Sequence, residues 1–347
     1  MGRMALPTSL PAARTPDPTQ APPLRWGILG TGWIASQFTQ ALREHTTQRV
    51  AAVGSRSTES AAAFADRFEV PTAHGSYDAL VADEGVDVVY VATPHNFHHP
   101  DALRAIRAGK HVLIEKPIAL NADQAREIEA EAARAGVMAM EALWTLFLPK
   151  FDVVRQLLAD GVLGSLRTVL ADHGQYFEGD HRILRPDLAG GPMLDLMTYP
   201  ASFAHWVLGE PTEVIARTTW APTGVTGQTA IMLTHPGDAQ ALLHSSVVSP
   251  TPTTAAICGE EAMITFDPDF YIPGDFTVSD HTGATLRYTE PKVAHTGGLH
   301  YQAAELARRV AAGETASPLR TLTDSVQTMA IMDEARRQIG EVYAEER

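Results

Sequence analysis

From Leu24 onward the chain alternates short apolar runs with amphipathic stretches, and this alternation restricts its fold more than any other feature. LRWGILG is followed by GWIASQFTQALREH, then by RVAAVGSR, then by TESAAAFADRF. A strand period and a helix period take turns, so the segment reads as β, α, β, α, the order of a parallel sheet flanked by helices. Further strands are predicted at 86–92, 111–115 and 137–142, with helices at 100–108 and 121–135, the last capped by Asn121. Because such crossovers are right-handed, the pattern specifies an α/β, doubly wound Rossmann domain with its ligand at the carboxyl ends of the strands.

After about Pro149 the pattern changes. A helix at 150–160 precedes strand-like runs at 166–177, 213–220, 229–234, 240–247, 254–257 and 262–266. Strands in succession after an α/β unit predict a C-terminal α+β domain with a large, mainly antiparallel, open-faced sheet. An uncovered apolar sheet face calls for a partner, so a homodimer through this domain is expected. Helices at 299–312 and 321–340 close the chain, and the last is expected to pack back on the Rossmann domain. The expected division is a flexible tail rich in Pro, Thr and Ala over 1–23, a nucleotide-binding domain over 24–145, and a substrate-binding and dimerisation domain over 146–347. A chain of 347 residues suits two such domains.

Composition narrows the function classes. With 45% hydrophobic and 20% charged residues the chain has a globular balance, and no apolar run reaches the roughly 18–20 residues of a membrane helix. The first 23 residues lack the continuous apolar stretch of a secretory signal. Cys258 is the only cysteine, which excludes an intrachain disulfide and points to the cytoplasm. A net charge of −14 argues against nucleic-acid binding, which needs clustered Lys and Arg.

The first predicted strand runs into Gly30-Thr31-Gly32-Trp33-Ile34-Ala35, a G-x-G-x-x-A turn opening a helix. Gly30 permits the tight turn, Gly32 leaves the pyrophosphate room, and Ala35 lets helix and strand approach; the helix N-terminus then faces the negative charge. The second strand ends in Ser55-Arg56-Ser57, with no acid before Glu59. A site for NAD places a carboxylate there, whereas an arginine pairs with a 2′-phosphate and serines donate to it. NADP is therefore the expected cofactor and NAD the second choice.

The next two strands end in Thr93-Pro94-His95-Asn96-Phe97-His98-His99-Pro100 and in Glu115-Lys116-Pro117. Three histidines in five residues raise the question of zinc, but no thiolate or carboxylate cluster accompanies them, and no metal is expected. Thr93, Pro94, Glu115 and Lys116 are expected to line the cofactor, with His98 beside it and His95 and His99 at the surface. Lys116 stands out, because a fixed ammonium stabilises the alkoxide character that develops on the oxygen of a carbinol as hydride leaves its carbon.

These residues, with Ala108-Gly109-Lys110-His111-Val112-Leu113-Ile114-Glu115-Lys116-Pro117 and Gly190-Gly191-Pro192-Met193-Leu194-Asp195, resemble the glucose-fructose oxidoreductase / inositol dehydrogenase family over nearly everything after residue 24. Glu141-Ala142-Leu143-Trp144-Thr145 and Phe147-Leu148-Pro149 resemble its branch of dimeric dihydrodiol dehydrogenases and NADP-dependent xylose dehydrogenases. The resemblance implies a Rossmann domain with an open-faced sheet domain, and a lysine that contacts the substrate hydroxyl. The branch is similar in carrying tyrosine where the family commonly has histidine, here Tyr199; Met197 stands where members usually have glycine.

Asp195 and Tyr199 are four apart and would share one face of a helix starting near Leu196. Tyr199 is the expected general acid/base, with Lys116 polarising the same oxygen and Asp195 orienting the lysine or the substrate. Trp33, Trp144, Phe147, Tyr176 and Phe177, with His181, Arg182 and Arg185 on a loop, are candidates for the substrate pocket, since aromatic faces suit a sugar ring or a cyclic diol. His300 is a weaker candidate. The expected function is hydride transfer between NADP and a CH–OH carbon of a sugar, polyol or cyclic trans-diol. The alternatives are a lyase or glycosidase-like enzyme that recycles its nicotinamide, and a non-catalytic NADP sensor.

Overall fold

The computed structural model describes residues 6–290 and 296–347, and the chain folds as two units. One comprises, among the described residues, 16–147 and 296–326; the other comprises 6–15, 148–290 and 327–347.

The first unit is built from β1 (Arg25–Leu29), α1 (Trp33–His45), β2 (Arg49–Gly54), α2 (Thr58–Phe68), β3 (Thr72–His74), α3 (Tyr77–Val81), β4 (Val88–Val91), α4 (His95–Arg107), β5 (His111–Glu115), α5 (Ala122–Ala135) and β6 (Ala139–Ala142). The six strands are parallel in the order β3-β2-β1-β4-β5-β6, so the sequence order reverses beside β1, the switch point where doubly wound sheets bind ligands. Residues of β1 and β4 after Arg25 are fully buried, as expected of strands covered on both faces. Asn121 caps α5 by accepting from Gln124 N at 2.9 Å, and Gly136, at φ +67°, ends it. The expected helix start at Pro100 is corrected: α4 begins five residues earlier and carries Pro100 inside it. Helix α9 (Leu299–Ala311) also belongs to this unit and packs on α1 and β5.

The second unit contains α6 (Pro149–Ala159), β7 (Leu166–Gly174), α7 (Pro192–Asp195), α8 (Thr198–Leu208), β8 (Glu213–Trp220), β9 (Thr226–Thr234), β10 (Gln240–Ser246), β11 (Ala255–Gly259), β12 (Ala262–Phe266), β13 (Phe276–Asp280) and β14 (Thr285–Tyr288). Its sheet runs β14-β13-β12-β11-β7-β10-β9-β8, antiparallel except where β7 meets β10. Helix α8 packs on β7. On the other side a row of directly paired residues, Ile215, Met232, Leu242, Leu170 and Ala256, crosses five strands, with Leu170 and Leu242 exposed. Helix α10 (Leu322–Ile339) starts in the residues of the first unit and ends in those of the second.

Two expected boundaries change. Residues 1–5 of the expected tail lie outside the described residues, but 6–23 are docked. Arg308 donates to the carbonyls of Pro16 and Asp17, Ala21 is buried against Ala304 and Ala307, and Arg14 N donates to Asp152 at 2.6 Å. Docking through backbone carbonyls leaves no side-chain periodicity, which is why composition alone suggested a free end. Residues 296–326, expected in the second domain, pack with the first.

Lys150 is a buried cation in the second unit. Its ammonium donates to the Ile272 carbonyl and faces the rings of Phe151 and Phe266. Burial pushes its pKa down to about 8, against the opposing pull of Glu290, Asp275, Asp267 and Asp269. A lysine whose folded pKa lies below its unfolded value penalises folding while it stays charged, and the penalty lifts as pH rises through 8 towards 10. Denaturant unfolding of the wild type and of Lys150→Met should therefore diverge with pH. Between pH 7 and pH 10 the wild type gains about 2 kcal/mol relative to the variant.

Candidate active site

The phosphate-binding turn sits at the switch point of the first unit. Gly30 has φ +107°, and a Cβ there would lie 2.8 Å from the Ala92 carbonyl, so both its dihedral and its close approach to the end of β4 require glycine. Gly32 is different: a Cβ there would meet no atom within 4 Å. Protein packing does not demand this glycine, and the open space lies at the start of α1, an end that no side chain caps. A pyrophosphate suits both features, since the amides and the helix dipole face an anion. The turn therefore fits a dinucleotide.

At the end of β2, Ser55 is buried and Arg56 is exposed, its guanidinium 5.5 Å from the centre of the Phe97 ring. Burial, with Asp101 adding to it, raises the Tyr77 pKa, and Arg56 and Arg104 oppose that shift. Ser57, expected to serve the cofactor, caps α2 by accepting from Ser60 N at 3.2 Å and donates to Glu59 at 2.7 Å. The nearest acid is thus turned to the helix cap.

Lys116 follows β5, half-buried, and buried side chains hold the backbone around it. Glu115 accepts from the Lys116 amide at 3.1 Å and from the Tyr90 hydroxyl. His98 places Nδ1 2.7 Å from the Pro117 carbonyl and Nε2 2.8 Å from the Thr93 carbonyl. Glu141 accepts from the Ile118 amide at 3.1 Å. Glu115 and His98 thus support the two strand ends from buried positions. His99 pairs with Glu127 at 2.9 Å, and His95, expected at the surface, is buried beside His98. Among the described residues no three His, Cys, Asp or Glu side chains come together as metal ligands.

In the second unit Asp195 and Tyr199 do not share a helix. Asp195 ends the single turn of α7, and Tyr199 is the second residue of α8, after a break at Leu196 and Met197. Pro200 is accommodated because it falls in the first turn of α8. Asp195 accepts from Arg182 at 2.9 Å. The Tyr199 ring lies 4.6 Å from that of Tyr271 and 5.4 Å from that of His173, which itself stacks on Tyr271 at 4.5 Å and 29°. Burial raises the Tyr271 pKa far above the ordinary tyrosine value, with further contributions from Tyr199, Asp269 and Asp195, so Tyr271 stays protonated. Gln175 Nε2 lies 3.0 Å from His173 Nε2.

The pocket candidates differ in their surroundings. Trp33 and Tyr176 are 62% and 60% exposed. Arg185 forms an exposed ion pair with Asp187, and Phe177 packs on the Ile183, Leu196 and Val247 cluster and on His181. Trp144 and Phe147 are buried in the turn after β6. His300 is buried beside His45 and Tyr301, and burial lowers its pKa to about 4, so it is neutral near pH 7. His173 and Tyr271 were missed. Alternation along β7 places His173 on the inward face with Val169 and Ala171, a signal the sequence does carry; Tyr271 lies in an irregular loop without one.

Together these features describe an oxidoreductase built on a dinucleotide-binding sheet. Residues 24–143 match the oxidoreductase family with an NAD-binding Rossmann fold, and residues 151–265 match the GFO/IDH/MocA C-terminal domain; the chain belongs to this family. It is 34% identical over 329 residues to the trans-1,2-dihydrobenzene-1,2-diol dehydrogenase of Xenopus laevis, covering 92% of this chain and 99% of that one. The enzyme of the same name from Sus scrofa is 33% identical over 337 residues, covering 93% and 99%. Among solved structures, a 3-ketoreductase from Actinomadura kijaniata in complex with NADP and TDP-benzene superposes with a TM-score of 0.81 at 26% identity, covering 92% and 98%. Levoglucosan dehydrogenase in complex with NADH and levoglucosan shares the fold at a TM-score of 0.83 and 18% identity, covering 92% and 98%.

Proposed function

We propose that the protein is an NADP-dependent dehydrogenase acting on a CH–OH carbon of a cyclic trans-diol, sugar or polyol. The observation that carries the cofactor choice is the end of β2, where Arg56 is exposed and Glu59 is bonded to Ser57. An exposed guanidinium recognises a 2′-phosphate, and the absence of a free carboxylate there removes the usual contact to an unphosphorylated ribose. The named activity of the relatives supports the diol, and the aromatic cluster around Tyr199 suits the faces of a cyclic substrate.

When bound, the nicotinamide supplies or accepts the hydride. The remaining chemistry belongs to the chain. Lys116 provides the cation that lowers the energy of charge developing on the reacting oxygen. Tyr199 takes the hydroxyl proton during oxidation and returns it during reduction. Asp195, paired with Arg182, orients substrate hydroxyls. Tyr271 stays protonated and cannot exchange roles with Tyr199. The open sheet face with Leu170 and Leu242 supports a homodimer, and a single cysteine suits a reducing cytoplasm.

The test is absorbance at the nicotinamide band with trans-dihydrodiols, aldoses and inositols, each with NADP and NAD. Turnover with NADP preferred establishes the reading. In Arg56→Glu the NADP-to-NAD ratio of kcat/KM should fall roughly a hundredfold, the worth of one charge-assisted pair and its replacement by repulsion. An unchanged ratio would overturn the cofactor assignment.

A further inference from the structure

Glu141 and Arg320 form a buried ion pair in the first unit, each about 2% exposed, across 179 residues of chain. Arg320 donates from Nε at 3.1 Å and from Nη2 at 2.7 Å to the same Oε2 of Glu141, and the Ser325 hydroxyl donates to that oxygen at 2.7 Å. The other oxygen, Oε1, accepts from the Ile118 amide at 3.1 Å. One carboxylate thus joins residues 320–325 to the backbone two residues beyond Lys116.

This arrangement exceeds what stability requires. Isolating two charges from water is expensive, and an apolar pair of similar volume often serves the fold equally well. What an apolar pair cannot supply is an acceptor for the Ile118 amide. With Glu115 on the Lys116 amide and His98 on the Pro117 carbonyl, Glu141 completes a run of three consecutive residues whose backbone is held by buried side chains. We propose that Glu141, held by Arg320 and Ser325, is a positioning residue for Lys116, so that the segment 296–326 sets the aim of the catalytic lysine. The inference rests on the role given to Lys116 above. Arg320 fixes the carboxylate, the carboxylate fixes the turn after β5, and that turn fixes the ammonium. A displacement of about 1 Å at a reacting group can lower a rate by up to two orders of magnitude.

The experiment compares two double variants that both remove the buried charges. Glu141→Gln with Arg320→Met keeps a carbonyl oxygen for the Ile118 amide and an amide for the Ser325 hydroxyl. Glu141→Leu with Arg320→Met keeps neither. Both should melt within a few degrees of each other and bind NADP with similar Kd. The Gln variant should retain kcat within about threefold of wild type, whereas the Leu variant should lose roughly tenfold to a hundredfold. Hydrogen exchange at the Ile118 amide, which needs no substrate, should stay slow in the first and become fast in the second. Equal kcat and equal exchange in the two doubles would overturn the proposal. Lys116→Met is assayed alongside: full turnover there would instead overturn the role of Lys116, so the two failures are separable.

Discussion

Replacing Lys116 with methionine should lower kcat/KM by on the order of a thousandfold while changing the NADP dissociation constant only severalfold. Methionine matches the length of the aliphatic stem, so the half-buried site keeps its packing and loses only the charge. The backbone is held independently by Glu115, His98 and Glu141, and the variant should therefore fold with the wild-type melting temperature. A cation that acts on the developing charge affects kcat more than substrate affinity, so the loss should appear chiefly in kcat. Steady-state kinetics with the preferred diol or sugar, together with fluorescence titration of NADPH, measures both quantities. Turnover near the wild-type level would show that the reacting oxygen is stabilised elsewhere.

Tyr199→Phe should lower kcat by roughly a hundredfold to ten-thousandfold, the usual range for a positioned acid/base. The substitution preserves the ring that packs on Tyr271 and His173, so the structural change is one oxygen. Tyr271→Phe provides the contrast. Its hydroxyl stays protonated through burial, and it should lose far less activity than Tyr199→Phe. The pH dependence of kcat/KM separates them further, because removing the acid/base alters the profile and removing a neutral neighbour leaves its shape. Equal losses in the two variants would mean that the hydroxyls act as a pair.

The assignment of the acid/base depends on the break between α7 and α8. On a continuous helix Asp195 and Tyr199 would lie one above the other on one face. Here Asp195 closes its own turn and pairs with Arg182, and Tyr199 starts the next helix against β7. Arg182 donates to the carboxylate, and the rings of Tyr271 and His173 lie against that of Tyr199.

The sequence by itself determined the first unit and the residues that stand at its strand ends. Hydrophobic periodicity is a local property, and so are the Gly30 dihedral, the open position at Gly32, Arg56 after β2 and Lys116 after β5; each follows from a few consecutive residues. It also showed the open sheet, although the short strands β13 and β14 were not among those predicted. Only the tertiary structure decided what depends on residues far apart in the chain. It brought His173 and Tyr271 to Tyr199, docked residues 16–23 on α9, and joined Glu141 to Arg320 and Ser325 beneath the lysine turn. The physical reason is that a buried polar group must find a partner wherever the fold presents one, and that choice is made by packing across tens to hundreds of residues, leaving no periodic trace in either segment.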